Sequence, residues 1–497
     1  MECSTRPRGI PDAALMHSGL SCAPMKLPMP KNRLPASWPS SPTLGSQGRR
    51  HWCLRAAAAV ASAGVPFPGQ ASGQKNPVGT APTVGQVKLM SQPRSAAVSP
   101  PARLLDPARL RLIDDAITAA VAAGQLPGAV VRVERMERAG ASGSAQLQGL
   151  AGADREAYET AVGRKALEPA PEPLEPSTVY DCASLTKVVV TASVLARLMQ
   201  EGAVHPSTAV RDLLPGFESD RGGPAITVGQ LLTHTSGLPA GLPLQPAWAG
   251  EEAAFQLAAT RTPTHPPGTF FRYSDVNFIL LGQIAQRLTG RRLDALAHAW
   301  LFQPLGMHDS GFRPLAHPQA WAPVPTERIA PTEWDSEIGA VPPAQKPGVT
   351  MLRGQVHDPT ARRMAGVAGH AGLFSTLADL SRFARMVLGG GELDGVRVLE
   401  EATVRGMCAV STPASVPERR ALGWDVDSPF SRARGRRYPL GSLGHTGFTG
   451  CAMWMDPASH AFHVWLSNRV HPRTRESIVA LYEDVATAAA EAMLGSR

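Results

Sequence analysis

The sequence predicts an α/β fold in which one layer of sheet and helix is built from both ends of a folded body, with a large, mostly helical segment inserted between them. Three observations predict it. Near residue 110 a helical apolar period gives way to a short β-branched run, the middle of the chain carries helix-spaced apolar residues, and after about Gly444 the pattern returns to strands and a closing helix. With 497 residues, 43% of them hydrophobic and only 18% charged, a sizeable core can be buried.

Residues 109–123 place Leu110, Ile113, Ile117 and Val121 on one helical face and stop at Gly124. Pro127-Gly128 introduces an apolar strand at 129–133. Residues 185–200 form a strongly apolar helix closing on Gly202, and 228–232 and 278–288 are further helices bounded by Gly or Pro. Residues 314–360 are Pro-rich and without period, and so long a loop is expected to serve as a lid or rim. Thr376-Leu377-Ala378-Asp379 has capping-box spacing and opens a helix through Val387. Residues 448–455 and 460–466 read as strands joined by Asp456-Pro457-Ala458-Ser459, and 474–493 as the last helix. The folded body is therefore expected at 105–497, its α/β part at about 105–183 and 400–497 and its helical part at about 184–399.

Charge and cysteine usage narrow the function classes. Net charge is +8, yet residues 1–72 alone hold eight Lys/Arg against two Asp/Glu, which leaves only +2 on the other 425 residues. A nucleic-acid binder concentrates basic charge on its folded domain, so no nucleic-acid partner is expected. A basic-tail surface binder is the competing reading, and it requires binding to vanish when 1–104 is deleted and to survive Ser184→Ala. No apolar stretch reaches the 18 or so residues of a membrane-spanning helix. Cys3, Cys22 and Cys53 lie in the tail and Cys182, Cys408 and Cys451 in the body, with no C-x-x-C, which argues against a disulfide framework and a structural zinc site.

Residues 1–104 are rich in Pro, Ser, Gly and Ala without periodicity and are excluded from the fold. Within 1–72, Arg49-Arg50 precedes an apolar run at 56–67 and small residues at Ala63 and Ala71, the basic, apolar, small order of an export signal. The paired arginines resemble a twin-arginine signal, although Arg55 intrudes into the apolar region. Residues 73–104 read as a linker. Export to the periplasm or outside is the expectation, and a cytoplasmic location follows if the leader is not a signal.

The sharpest local feature is Ser184-Leu185-Thr186-Lys187 at the entrance of the 185–200 helix, where residues three apart share a face. A helix start also offers free N–H groups to an oxyanion, so one element could supply nucleophile, base and part of an oxyanion hole. The pattern alone is weak: 34 Ser and 7 Lys predict about 0.5 chance occurrences, and Ser72-Gly73-Gln74-Lys75 in the tail is a second one. Usage of basic residues separates the two. The chain has 42 Arg and 7 Lys, and Lys187 is an exception inside an apolar helix. Burial favours a neutral Lys that can accept a proton, which Arg cannot do. An N-cap Ser184 with a solvated Lys187 stays open at this point.

Tyr273-Ser274-Asp275 lies 89 residues downstream before a helix, and His445-Thr446-Gly447 lies 261 downstream near a strand. With these the chain resembles the serine β-lactamase and penicillin-recognising superfamily, closest to its class C β-lactamase-like branch of esterases and D-amino-acid peptidases. Asp181-Cys182-Ala183, Leu231-Leu232-Thr233-His234-Thr235-Ser236-Gly237-Leu238, Pro304-Leu305-Gly306-Met307, Gly369-His370-Ala371-Gly372-Leu373-Phe374-Ser375 and Leu466-Ser467-Asn468-Arg469 look like the same branch, and the likeness spans about 107–495. It implies a mainly antiparallel sheet flanked by helices, with the helical insertion. It makes Ser184 the acylated nucleophile, Lys187 and Tyr273 the proton-transfer pair, and the Phe448 N–H an oxyanion donor beside that of Ser184. Thr446 and Gly447 would line one wall, with Gly447 letting a substrate backbone approach.

Two departures bear on specificity. Asp275 stands where β-lactamases commonly have Asn, so a group that can donate becomes one that only accepts. If ionised it would hold Lys187 charged and leave Tyr273 as the base, with Asn277 as a substitute amide. His445 replaces a Lys and removes a permanent charge that would attract a substrate carboxylate. The expected function is a serine hydrolase acting on an ester or amide of a small or peptide-like acyl substrate, with no metal or organic cofactor. A β-lactamase or D-alanyl-D-alanine carboxypeptidase proper is the nearest variant, and a non-catalytic penicillin- or peptide-binding sensor is the alternative from another class. His234 reads as a structural residue, and His370, between two glycines, as either a pocket residue or part of a tight turn.

Overall fold

Asp106 accepts a hydrogen bond from the Ala108 N–H at 2.8 Å and so caps the first helix, α1 (Pro107–Ala122), whose Leu110, Ile113 and Ile117 are buried. The computed structural model describes residues 103–137, 154–313, 324–335, 350–473 and 477–495, all within one unit spanning 96–497. The expected leader, nearly all of the expected linker, the Ser72/Lys75 pair and residues 314–323 and 336–349 of the Pro-rich stretch lie outside the described residues.

Eight strands form the main sheet: β1 (Gly128–Glu137), β2 (Asp154–Ala166), β3 (Glu172–Pro173), β4 (Arg419–Arg420), β5 (Asp425–Asp427), β6 (Leu443–Gly447), β7 (Cys451–Asp456) and β8 (Ala461–Ser467). Their spatial order is β3-β2-β1-β8-β7-β6-β5-β4, antiparallel throughout. The first long strand therefore lies beside the last, with Ala129 opposite Ser467 and Val131 opposite Trp465, so both ends of the body make the centre of one sheet. This is the expected α/β fold with an antiparallel sheet.

Side-chain alternation splits the apolar residues of that sheet into two cores. Val131, Val133, Trp454 and Trp465 pack under α1 and the last helix, which runs Val479–Leu494. Val130, Met453, Met455, Phe462, Val464 and Leu466 turn the other way, into the core of the helical segment. Three elements of that segment matter for the site. A π-helical stretch, Lys187–Ala192, leads into α2 (Ser193–Gln200); α3 runs Asp275–Thr289; α4 runs Leu377–Leu388. A small sheet of Tyr180–Asp181, Leu373–Ser375 and Gly311–Phe312 braces the approach to Ser184. Among the described residues no helix is long and apolar enough to cross a membrane.

Several boundaries differ from expectation. The 185–200 helix is not plain α-helix: Ser193 Oγ donates to the Val188 carbonyl five residues back at 3.1 Å, within a wider π turn that starts at Lys187. Strand β2 has no apolar alternation to announce it. Its inward residues are largely polar, and Tyr158 and Thr160 both donate to Asp114 Oδ1 of α1 at 2.6 Å. Phe448 lies in the turn between β6 and β7 and not in a strand.

Glu134 of β1 is wholly buried and bound by three guanidinium nitrogens, Arg385 Nε (2.6 Å) and Nη2 (2.7 Å) from α4 and Arg132 Nε (2.8 Å). Burial alone would raise its pKa, but the two arginines outweigh burial and hold it below 4.5. The pair's stabilisation is therefore complete above the unfolded value and is lost as pH falls through the lower folded one. Glu134→Ala leaves the mostly covered Arg385 without its counter-charge and is expected to lower the unfolding free energy by about 3–5 kcal/mol. A urea titration at neutral pH checks this, and a loss under about 1 kcal/mol would contradict it.

Candidate active site

Ser184 sits at the top of a strained turn. Ala183 before it has φ +44, a left-handed conformation uncommon outside glycine, and is held there by its N–H donating to Asp181 Oδ1 at 2.9 Å. Asp181 is buried, accepts a second N–H from His357 at 2.7 Å, and its carbonyl receives the Thr449 hydroxyl at 2.7 Å. The turn carrying the hydroxyl is thus tied to the β6–β7 turn.

Lys187 is fully buried one turn on. Its Nζ hydrogen-bonds Ser184 Oγ and the His370 carbonyl, each at 3.0 Å, and pairs with Asp275 Oδ1 at 2.7 Å. Nζ also lies 5.0 Å from the centroid of the Tyr273 ring. Burial, the largest single influence, pushes the Lys187 pKa down, but Asp275 and then Tyr273 outweigh it, and the net direction is up from 10.5. Of the two expectations for Lys187, neutral through burial or held charged by Asp275, this direction favours the second.

Tyr273 lies on the wall of a cleft that it shares with Ser184, Arg420, Asp425, Phe430, His445, Thr446 and Phe448. Its ring packs 4.5 Å from that of His234, 5.2 Å from Phe430 and 5.8 Å from His445. Ser274 caps α3 through the Asn277 N–H, which places Asp275 in the first turn beside Lys187. Phe448 is 55% exposed in its turn. Among the described residues nothing accepts from the backbone N–H of Ser184 or of Phe448, so both are available to a developing oxyanion.

His445 Nδ1 donates to the Thr446 carbonyl at 2.8 Å. Burial first, then Arg420 and Lys187, push its pKa well below 6.5, so it is a neutral imidazole. His234 is neutral for the same reasons, accepts the Ser274 N–H on Nδ1 at 3.1 Å and backs the Tyr273 ring. Gly447 has a different reason from the expected one: a Cβ there would lie 2.5 Å from the Cys182 carbonyl, so the glycine serves the contact between the Ser184 turn and β6. Asn277 is not in the cleft. It is buried, its Oδ1 accepts the Ser236 hydroxyl at 2.6 Å, and it offers no amide to a substrate.

Sequence reasoning missed Arg420, Asp425, Phe430 and Asp358. Arg420 and Asp425 form a buried ion pair at 3.3 Å on the cleft wall, invisible in a chain with so many arginines. His370 is buried outside the cleft lining and bonds Asp358 Oδ1 through Nε2 at 2.9 Å. Ligand atoms of Asp275, Asp358 and His370 lie within 4.8 Å of one another. This has the make-up of a small cation site, and Lys187, 2.7 Å from Asp275, supplies the positive charge beside it.

The family model described as Beta-lactamase matches residues 113–487. A protein of Escherichia coli (strain K12) named "Putative D-alanyl-D-alanine carboxypeptidase" is 33% identical over 317 residues, covering 59% of this chain and 70% of that one. A penicillin-binding protein homologue from Caulobacter crescentus has a similar structure, with a TM-score of 0.56 at 20% identity over 78% of this chain and 98% of its own. EstCE1, described as a hydrolase with promiscuous acyltransferase activity, gives a TM-score of 0.55 at 19% identity over 77% and 99%.

Proposed function

The chain belongs to the beta-lactamase family and is a serine hydrolase acting on ester or amide bonds, and from that premise we propose that it works through an acyl-enzyme on Ser184, with Tyr273 moving the proton and Lys187 acting as a fixed ammonium. The observation that carries this reading is the Lys187 contact set: Nζ, hydrogen-bonded to Ser184 Oγ and the His370 carbonyl, is ion-paired with Asp275 Oδ1 at 2.7 Å. A lysine held as an ammonium by that carboxylate has no lone pair with which to take the serine proton. The base is then Tyr273, on the same cleft wall.

In the first half-reaction Tyr273 enters as a phenolate, the form that the neighbouring Lys187 ammonium stabilises; Ser184 Oγ attacks the carbonyl carbon, its proton passes to that phenolate, and the Ser184 and Phe448 N–H groups meet the oxyanion. Collapse breaks the bond to the leaving group, which departs with the proton from Tyr273. Water then attacks the acyl-enzyme, gives one proton to Tyr273, and Ser184 leaves with it. Lys187 keeps its charge throughout and stabilises the negative charge that passes between Ser184 and Tyr273.

The cleft favours neutral substrates. Arg420 is countered by Asp425 and His445 is neutral, while Phe430 and Phe448 offer half-exposed aromatic surface. Esters and peptide-like amides fit these walls. The name of the Escherichia coli relative favours a D-alanyl-D-alanine carboxypeptidase as the second reading. Turnover of a p-nitrophenyl ester, a penicillin and a D-alanyl-D-alanine peptide by wild type and Ser184→Ala separates the readings. Fast ester turnover lost in the variant supports the first, and preferential release of D-alanine supports the second. Turnover of none of the three by folded wild type would leave a binding sensor. Export belongs to the same proposal, carried by the basic, apolar, small order at 49–71. Cell fractionation of the full chain tests it, and an uncleaved cytoplasmic product would sink it.

A further inference from the structure

We propose that Asp358 and His370 are a positioning pair behind Lys187: His370 fixes the carbonyl that holds the ammonium, and Asp358 adds a second carboxylate that keeps it charged. This rests on the acyl-enzyme reading above. His370 is engaged at both ends, its carbonyl accepting from Lys187 Nζ at 3.0 Å and its Nε2 bonding Asp358 Oδ1 at 2.9 Å. Asp358 is itself fixed, because the same oxygen caps the following helix by accepting the Ala361 N–H at 2.7 Å.

The turn between them is clamped. Thr191, from the π-helical stretch that carries Lys187, donates its hydroxyl to the Gly369 carbonyl at 2.7 Å. Gly369 lies so close to α3 that a Cβ there would stand 2.0 Å from the Phe278 carbonyl oxygen. The elements bearing Lys187 and Asp275 thus both grip Gly369, and the direction of the next carbonyl is set by what holds the His370 side chain. That is Asp358 alone among the described residues, since His370 Nδ1 is buried without a partner.

The charges around Lys187 agree with this role. Burial pushes the Asp358 carboxyl up, but His370, then the Ala361 N–H and lastly Lys187 outweigh it and hold it well below the ordinary carboxylate range. Polar atoms of Asp358, Asp275 and His370 lie within 4.8 Å of one another and Nζ lies 2.7 Å from Asp275, so one ammonium has two carboxylates near it. The other groups facing it are Tyr273, the neutral His234 and His445, and Arg420, which Asp425 pairs. Removing one carboxylate makes every neighbouring proton easier to lose.

The test is the pH dependence of p-nitrophenyl acetate hydrolysis by the full chain. Asp358→Asn keeps an oxygen for Ala361 and removes the charge. It is expected to lower kcat about 10- to 100-fold with KM within about threefold. It should also move the kcat/KM profile to lower pH by about 0.5–1 unit. His370→Gln retains a donor in the place of Nε2 and is expected to keep at least about a third of wild-type kcat, whereas His370→Ala falls as far as Asp358→Asn. A folded Asp358→Asn whose profile does not move overturns the proposal and leaves Asp358 a helix cap. Should that variant not fold, equal activity of His370→Gln and His370→Ala overturns it instead. An inactive wild type that takes no fluorophosphonate sinks the acyl-enzyme reading itself, whereas an active wild type with an unmoved Asp358→Asn profile sinks only the pair.

Discussion

Lys187→Ala is expected to lower kcat/KM for ester hydrolysis by about 10⁴-fold, because nucleophile and proton-transfer groups that act as one unit lose nearly all their effect when one is removed. Two separate physical effects meet at this residue. The ammonium that donates to Ser184 Oγ disappears, and with it the positive charge that stabilises the transferring electron pair. Asp275 and Asp358 are then left facing each other across the vacated space. The fold is expected to lose about 3–5 kcal/mol, so thermal unfolding has to be measured beside activity. Lys187→Arg is expected not to rescue, since a planar guanidinium does not fit three acceptors arranged around a point charge. The folded-state pKa of Lys187 is raised, so the stability it contributes is complete below its unfolded value and fades only as pH rises through the higher folded one. Activity that titrates away between pH 6 and 8 with loss of a lysine proton would contradict a permanently charged Lys187.

Tyr273→Phe is the second large effect, about 10²- to 10⁴-fold in kcat with KM within about threefold, since only the proton carrier is removed. The ring keeps its contacts with His234, Phe430 and His445, so the cleft wall survives the change. Steady-state kinetics on one ester check it. A Tyr273→Phe enzyme within about threefold of wild type would return the base role to Lys187 or to water.

The sequence carried the nucleophile turn further than the rest of the site, for a local reason. A spacing of three on one helix face is enough to bring Ser184 and Lys187 together, and the structure puts their side chains in contact whether or not the helix is α or π at that point. Asp275 was legible too, because it follows Tyr273 at a helix start. The pair behind Lys187 was less so. Asp358 and His370 lie 171 and 183 residues beyond it and meet it only through chain closure; His370 stood out between two glycines without its partner, and Asp358 reads locally as a mere cap before Pro359. Arg420 carries no local mark at all. Asn277 shows the opposite failure: its distance along the chain was right, but two residues past Asp275 on α3 its side chain turns inward to Ser236. In the fold, β1, β7 and β8 announced themselves through apolar residues. Strand β2 stayed hidden because polar bonds to Asp114 do much of the work that apolar alternation does elsewhere.

The most direct test of the account is intact mass spectrometry of the purified chain, wild type beside Ser184→Ala, after brief exposure to a fluorophosphonate. A single phosphonyl adduct on wild type, mapped to the peptide containing Ser184 and absent from a folded Ser184→Ala, is the predicted result. An adduct that persists undiminished in the variant, or folded wild type that takes none while still turning over an ester, would contradict an acyl-enzyme on Ser184.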